Sequence, residues 1–201
     1  MSAQAARKHD PEASRAAILD AAEGLFLERG FAATSMSEIA ERSGVTKSLI
    51  HHHFGSKESL WSEIKRRRFT SYHASQLALY ERGLSADTIR ASMATYFRFL
   101  LDNPQVVRMI GWMRLEGDLE CADLVCDLRA RGLQLIGTAQ AAGLIRNDMP
   151  PEHVLLMFLG LVNAYFDEAA FVTDGNAAGL EPEAYVANAQ KAFEAAMRPA
   201  P

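Results

Sequence analysis

The segment from residue 46 to residue 54 carries side chains that could contact a nucleic acid. Ile50 and Phe54 are four residues apart, so on a helix they share one face. If that face is buried, four polar side chains point outward, namely Lys47, Ser48, His51 and His52. Their donors and acceptors can then meet base edges and phosphates in a DNA major groove. A solvated surface helix would show the same pattern, so both interpretations stay open here.

The run from His51 to His53 could also suggest a metal site. Successive residues of a helix point about 100° apart, so three in a row cannot close around one ion. We therefore expect no bound metal at these histidines. We also expect no cofactor elsewhere in the chain.

Two short helices and a tight turn would position this segment. Ser35 and Glu38 form a capping-box pattern at the start of one helix, and Thr46 is a plausible N-cap for the next. Gly44 and Val45 lie between them, and a longer helix from Ser14 to Gly30 precedes them. This order is typical of a helix-turn-helix, although similar units also serve as plain corners of helical bundles.

Lys57 follows the cap residue Ser56 at the start of a fourth helix. A cation there opposes the helix dipole, whereas a lysine beside free backbone N–H groups makes a good phosphate site. We therefore expect Lys57 to contact phosphate, and its replacement by alanine to weaken binding to all DNA sequences about equally. An ordinary solvated lysine beside Glu58 is the alternative.

The stretch GFAATSMSEIAERSGVTKSLIHHHFGSKESL, from Gly30 to Leu60, resembles the DNA-binding signature of the tetracycline-repressor family of bacterial regulators. The resemblance implies base-facing roles for Lys47, Ser48 and His51. It implies phosphate contacts for Thr34, His52, His53 and Lys57, to which we add the cap residues Ser35 and Thr46. Ser48 stands where the family often has glycine, and His51 where it usually has tyrosine. The bases that other family members recognise can therefore not be assigned to this chain.

The rest of the chain shows helical periodicity and no sustained strand pattern. We predict an all-α fold of about nine helices, in which a helix-turn-helix DNA-binding domain joins a helical-bundle domain for ligand binding and dimerisation. The predicted boundaries are a flexible arm at 1–13, the DNA-binding domain at 14–60 and the second domain at 61–201.

Charge is distributed unevenly along the chain. The net charge is −4, but residues 1–68 carry +2 and residues 69–201 carry −6. A mildly basic first part allows local phosphate contact. No secretory signal is recognised, and Cys121 and Cys126 are badly placed for a local disulfide. We therefore expect a protein of the bacterial cytoplasm.

Residues of the second domain are candidates for ligand contact. The predicted set is bulky or adaptable with two polar anchors: Phe69, Tyr72, Tyr96, Met109, Trp112, Met113, Glu116, Phe158 and Asn163. Ordinary core packing explains each residue equally well. The resemblance implies that a small-molecule inducer binds somewhere in this domain.

The segment from Val154 to Phe166 is apolar on most faces but shorter than a membrane span. No membrane partner is expected, and such a helix must be covered on more than one side. A monomer core is one solution. The resemblance implies another, a homodimer formed by the last two long helices, which would present two DNA-binding domains to a near-palindromic operator of double-stranded DNA.

The sequence therefore predicts a sequence-specific DNA-binding regulator, a repressor released by an inducer, rather than an enzyme. An all-helical enzyme is one alternative, but no catalytic motif is recognised, and the acidic positions 116, 118 and 120 resemble a solvated helix junction. A non-specific DNA-packaging protein is another, but it would need a more basic surface.

Overall fold

A computed structural model of the chain describes residues 10–83, 85–118, 123–175 and 180–199. Over these residues the chain forms nine helices and no strand, which confirms the all-α prediction. The helices are α1 (Pro11–Arg29), α2 (Met36–Ser43), α3 (Lys47–Phe54), α4 (Lys57–Tyr80), α5 (Ala86–Asp102), α6 (Pro104–Leu115), α7 (Asp123–Ala141), α8 (Pro151–Val172) and α9 (Pro182–Met197).

The start of α1 differs from the prediction. The helix begins at Pro11 rather than at the predicted Ser14, and its N-cap is Asp10, whose carboxylate accepts from the backbone N–H groups of Glu12 and Ala13 at 3.0 and 3.3 Å. Pro11 then fits the first helical position, where its missing N–H leaves no bond unmade. The end of the predicted arm is therefore helical, and its residues 1–9 lie outside the described range. Cys121 and Glu120 also lie outside it.

The chain divides into two compact units. We call the described residues 10–67 and 108–118 the head, and the remaining described residues the body. The head therefore extends past the predicted boundary at residue 60, because Trp61 and Ile64 are buried in its core. Trp61 packs on the rings of Phe26 and Phe31, with ring centroids 5.0 and 6.1 Å apart.

An apolar stripe on α1 forms the centre of the head. Ile18, Ala22 and Phe26 are at most 1% exposed, and so are Ile39 of α2 and Ile50 of α3. Full burial of one large apolar side chain contributes about 1.5–3 kcal/mol. This core determines how the two short helices, α2 and α3, pack against α1.

The body has an aromatic core with a buried polar pair. Phe97 of α5 packs on Tyr165 and Phe166 of α8, with ring centroids 5.0 and 5.2 Å apart. Gln76 of α4, fully buried, donates to the Ser92 carbonyl oxygen at 2.9 Å and accepts from the Ser92 hydroxyl at 2.7 Å. Because these polar atoms are paired, their burial carries little penalty.

Candidate nucleic-acid interface

Helices α2 and α3 and the turn between them have well-formed caps. Ser35 accepts from the Glu38 N–H at 3.2 Å, and Glu38 accepts from the Ser35 N–H at 2.8 Å, which confirms the capping box. Gly44 ends α2 in the left-handed conformation. Thr46 caps α3 by accepting from the Leu49 N–H at 3.3 Å, as predicted. The turn is therefore defined by local hydrogen bonds.

One face of α3 is anchored in the head and the other is exposed. Ile50 is fully buried, and the half-buried ring of Phe54 packs under the Arg15 guanidinium, 5.0 Å from the ring centroid. The side chains predicted to face DNA bases, Lys47, Ser48 and His51, are all exposed, as is His52. This exposed face carries a cation, a hydroxyl and two imidazoles, which can both donate and accept hydrogen bonds.

Three of the other residues predicted to contact phosphate, Ser35, Thr46 and His53, occupy different environments. Ser35 and Thr46 are exposed but use their hydroxyls as caps. His53 is half-buried, and its Nε2 atom is buried without a hydrogen-bond partner in the described structure. Of these, the cap residues could still offer backbone N–H groups or hydroxyl hydrogens to a phosphate.

Lys57 and Thr34 are tied into the head. Thr34 is buried, and its hydroxyl donates to the Gly30 carbonyl oxygen at 2.9 Å. The Lys57 ammonium donates to the carbonyl oxygens of Phe31 and Thr34, both at 2.9 Å, and lies 4.2 Å from the centre of the Phe31 ring. Lys57 therefore joins the start of α4 to the loop before α2, a structural role that the sequence pattern did not indicate.

The C-terminal end of α6 braces the same loop. Glu116 accepts from the backbone N–H groups of Phe31 and Ala32 at 3.2 and 3.0 Å, and the Trp112 indole donates to the Leu27 carbonyl oxygen at 3.1 Å. Gly30 has a φ of 84°, and a Cβ atom there would lie 2.5 Å from Glu116 Oε1. Only glycine allows this close approach.

Asp118 forms a second brace just beyond α6. Its carboxylate accepts from the Trp61 indole at 2.7 Å and from the Lys65 ammonium at 3.0 Å. Lys65 is 1% exposed, so this is a buried ion pair. The expectation of a solvated junction is therefore wrong for Asp118, which is held in this ion pair, whereas Glu116 is exposed as expected although its carboxylate binds backbone N–H groups of the head. Spacing along the chain could not show this contact across some 50–85 residues.

Two family descriptions match the chain. Residues 18–64 match the bacterial regulatory proteins of the tetR family, and residues 92–198 match the tetracyclin repressor-like C-terminal domain. The second match alone covers more than half of the chain. The chain belongs to the TetR family of bacterial transcription regulators. The comparisons give no support to the enzyme or DNA-packaging alternatives, since the relatives reported below are regulators.

Several regulators resemble this TetR-family chain in sequence. It is 28% identical over 202 aligned residues to the transcriptional regulator RutR of Escherichia coli K12, covering 96% of this chain and 94% of RutR. It is 32% identical over 97 residues to the transcriptional activator FasR of Mycolicibacterium smegmatis, covering 48% of this chain and 44% of FasR. A third relative, the repressor KstR2 of Rhodococcus jostii, is 36% identical over 84 residues, covering 41% of each chain.

Solved structures share the fold of this TetR-family member. A transcriptional regulator from Streptomyces coelicolor, SCO4942, superposes with a TM-score of 0.70 at 22% identity, covering 92% of this chain and 98% of the other. A TetR-family regulator from Marinobacter aquaeolei VT8 gives 0.71 at 17% identity, with coverage of 92% and 96%. Likeness at this level of identity establishes the fold alone.

The residues predicted to contact a ligand fall in both units of this TetR-family protein. Met109, Trp112, Met113 and Glu116 belong to the head. In the body, Phe69, Tyr72 and Tyr96 form an aromatic cluster with Phe99; the Tyr72 and Phe99 rings stack at 4.7 Å. The Tyr96 hydroxyl donates to Asn163 Oδ1 at 3.0 Å. Only Phe158 of the predicted set lines the body cavity described next.

The body has a small, partly open apolar cavity of about 60 Å³. Its walls are mainly aliphatic and aromatic side chains of α4, α5, α7, α8 and α9, with three hydroxyls, those of Tyr80, Thr88 and Ser92. Burial raises the pKa of Tyr80, so its hydroxyl is uncharged at neutral pH. The Thr88 hydroxyl already donates to the Gly83 carbonyl oxygen at 2.8 Å. Among the described residues that line this cavity, none is charged.

Proposed function

We propose that this protein is a homodimeric repressor of the bacterial cytoplasm that binds a near-palindromic operator and releases it when a small apolar molecule occupies the body. The proposal depends above all on the exposed face of α3, where Lys47, Ser48 and His51 stand free of the head core. Relatives named as activator and as repressor both occur, so repression follows the sequence-based expectation rather than any one relative.

Helix α8 supports the dimer. Three of its large apolar side chains, Leu156, Phe171 and Val172, are 68–79% exposed. The helix is long and apolar enough to cross a membrane, yet only 17% of its most apolar stretch is buried in the single chain. A partner subunit would remove this surface from water at about 25 cal/mol per Å² of apolar area. In α9, Ala189 and Phe193 are buried within their own chain, so the α9 contribution to a dimer would come from other positions.

The body cavity supports a neutral, apolar inducer. An apolar cavity of about 150 Å³ can hold benzene, and drug-sized ligands occupy pockets of about 300–1,000 Å³, so the cavity of about 60 Å³ is too small for a drug-sized molecule without rearrangement. A ligand that binds must therefore favour a state with a larger cavity. Such differential binding is what shifts an equilibrium between two states.

A gel shift on DNA flanking the protein's own gene tests the DNA-binding part. We expect selective binding at physiological salt that survives excess competitor DNA and weakens as salt rises. The double variant Lys47→Ala/His51→Ala should lose this selectivity with an unchanged far-UV circular dichroism spectrum. Equal binding to every duplex, or no binding, would reject the proposal.

Sedimentation velocity and native mass spectrometry test the other parts. Wild-type protein should sediment as a dimer, and Leu156→Glu should sediment as a monomer with weakened operator binding. Glu152→Gln, at an exposed polar position of the same helix, is the control and should remain dimeric. A wild-type monomer bound to operator would reject the dimer, and an inducer that bound equally to a chain with a filled cavity would reject the cavity as its site.

A further inference from the structure

The imidazole of His51 is held by a reciprocal pair of hydrogen bonds with Gly55. The Gly55 N–H donates to the His51 carbonyl oxygen at 2.8 Å, and His51 Nδ1 lies 2.8 Å from the Gly55 carbonyl oxygen. A carbonyl oxygen can only accept, so the hydrogen of the second bond must lie on Nδ1. A neutral imidazole has one N–H, which leaves His51 Nε2 as an acceptor.

The backbone at Gly55 makes this bond possible. Gly55 has φ and ψ of 76° and −67°, and across it the Ser56 N–H donates to the Phe54 carbonyl oxygen at 2.9 Å. These values define the rarer, positive-φ form of the γ-turn, which glycine adopts most easily. The turn brings the Gly55 carbonyl oxygen back to the last turn of α3, within reach of the His51 ring.

We propose that His51 reads an adenine or a cytosine in the operator by accepting a hydrogen bond at Nε2 from the exocyclic amino group. This inference rests on the proposed DNA-binding function. In the major groove only adenine N6 and cytosine N4 present amino donors; guanine and thymine present acceptors there. An Nε2 lone pair facing the O6 or O4 acceptor of guanine or thymine would be repelled.

The neighbouring reader on α3 has the opposite polarity. The Lys47 ammonium can only donate, and it is exposed, with Ser37 Oγ at the edge of hydrogen-bond distance, 3.5 Å away. It therefore favours acceptors such as guanine N7 and O6. One helix face then presents a donor at Lys47 and an acceptor at His51, so guanine or thymine, which offer only acceptors in the major groove, could satisfy Lys47 but not His51.

Nitrogen-15 NMR of the full chain tests the tautomer without DNA. In alkaline buffer, where imidazoles are neutral, the His51 ring should show its hydrogen on Nδ1 and a bare Nε2. The signals are assigned by their loss in His51→Phe, and His52→Phe provides the matched assignment for the neighbouring exposed imidazole. A hydrogen on Nε2 of His51 would overturn the proposal whatever the protein does with DNA.

Selection of operator sequences, followed by binding to duplexes that contain base analogues, tests whether His51 recognises an adenine or a cytosine. Duplexes selected from a random pool by the wild type and by His51→Phe identify the position that depends on His51, which should be adenine or cytosine in the wild-type set. Replacing that base with an analogue that lacks only the amino group should weaken wild-type binding about two- to tenfold, the usual range for one hydrogen bond. A 7-deaza analogue at an adenine position, which keeps the amino group, should bind as the normal base does.

The controls separate this inference from the proposed function. His51→Phe should not respond to loss of the amino group, whereas Glu152→Gln, at an exposed position of α8 in the body, should respond as the wild type does because it leaves the head unchanged. Guanine or thymine at the His51 position, or equal tolerance of the analogue by the wild type, would overturn the reading by an acceptor. If the wild type selects no sequence at all, the proposed DNA-binding function fails and this inference with it.

Discussion

The contacts within the head differ in kind from the contacts within the body. In the head, directional hydrogen bonds fix the loop before α2: Lys57 donates to two of its carbonyl oxygens, and Glu116 accepts from two of its N–H groups. In the body, apolar side chains line a cavity, among them the packed rings of Phe158 and Phe193, and such contacts tolerate small shifts that hydrogen bonds do not. The comparison indicates a head built to keep one geometry and a body with room to change.

Two glycines make the comparison concrete. At Gly30 in the head, an added Cβ would lie 2.5 Å from Glu116 Oε1 and 2.9 Å from a Trp112 ring carbon, at a φ of 84°. At Gly132 in the body, the nearest atom would be the Tyr80 hydroxyl oxygen at 3.4 Å, which is about van der Waals contact. An added methyl group should therefore lower the free energy of unfolding at Gly30 and raise it at Gly132.

The largest effect should follow loss of the buried head ion pair. Asp118→Ala leaves the buried Lys65 ammonium and the Trp61 indole without this carboxylate, which should lower the free energy of unfolding by about 3–5 kcal/mol. Urea denaturation followed by tryptophan fluorescence measures it. The matched control is Asp148→Ala, which breaks an exposed ion pair with Arg146 in the body and should change stability little. Equal losses in the two variants would refute the contrast between units.

Gly30→Ala should have the second-largest effect on the free energy of unfolding. The left-handed backbone costs about 1–2 kcal/mol for a residue with a Cβ, and displacement of the Glu116 hydrogen bonds adds about 1–2 kcal/mol. We expect a loss of unfolding free energy of about 2–4 kcal/mol, measured in urea. Gly111→Ala is the control, because Gly111 is helical and, within the described part of the chain, an added Cβ would meet no atom within 4 Å beyond its own helix backbone and chain neighbours. A stable Gly30→Ala protein would show that the brace is weaker than its distances indicate.

Two lysines of the head separate folding from binding. Lys57→Ala removes a donor shared by the Phe31 and Thr34 carbonyl oxygens, so it should cost about 1–3 kcal/mol of stability. Lys47→Ala alters an exposed side chain and should stay within about 0.5 kcal/mol of the wild type while shifting operator preference. Thermal melting and gel shifts on the same samples test both. An unchanged melting temperature for Lys57→Ala would restore the purely phosphate-binding role predicted from sequence.

The fold and the recognition helix could be predicted from the sequence because their signals are local. Ser35 with Glu38, and Thr46 before Lys47, mark helix starts within four residues, and the burial of Ile50 follows from helical spacing. The start of α1 was misplaced because Ser14 is as good a cap by residue type as Asp10.

The braces and the cavity could not be predicted because their partners are far apart in sequence. Glu116 lies 84 residues from the Ala32 N–H that it accepts from, and no periodicity records such a pair. Aromatic side chains are also poor markers of a ligand site, since they fill cores equally well. Tyr72 and Tyr96 therefore pack against each other and Phe99, while the cavity forms where the smaller Gly132 leaves space beside Tyr80.

Gly132→Ala should have the smallest effect on the free energy of unfolding, and it should raise that energy where the other substitutions lower it. Gly132 is buried within α7, and replacing a helical glycine with alanine gains up to about 1 kcal/mol of helix stability. The new methyl group meets Tyr80 at contact distance and occupies part of the cavity, so we expect about 0.5–1 kcal/mol of added stability and weaker binding of a small apolar probe such as xenon. Urea denaturation measures the change in stability, and xenon binding measures the change in the cavity. A destabilised variant would mean that the body is packed as tightly as the head, and the contrast between the two units would then be lost.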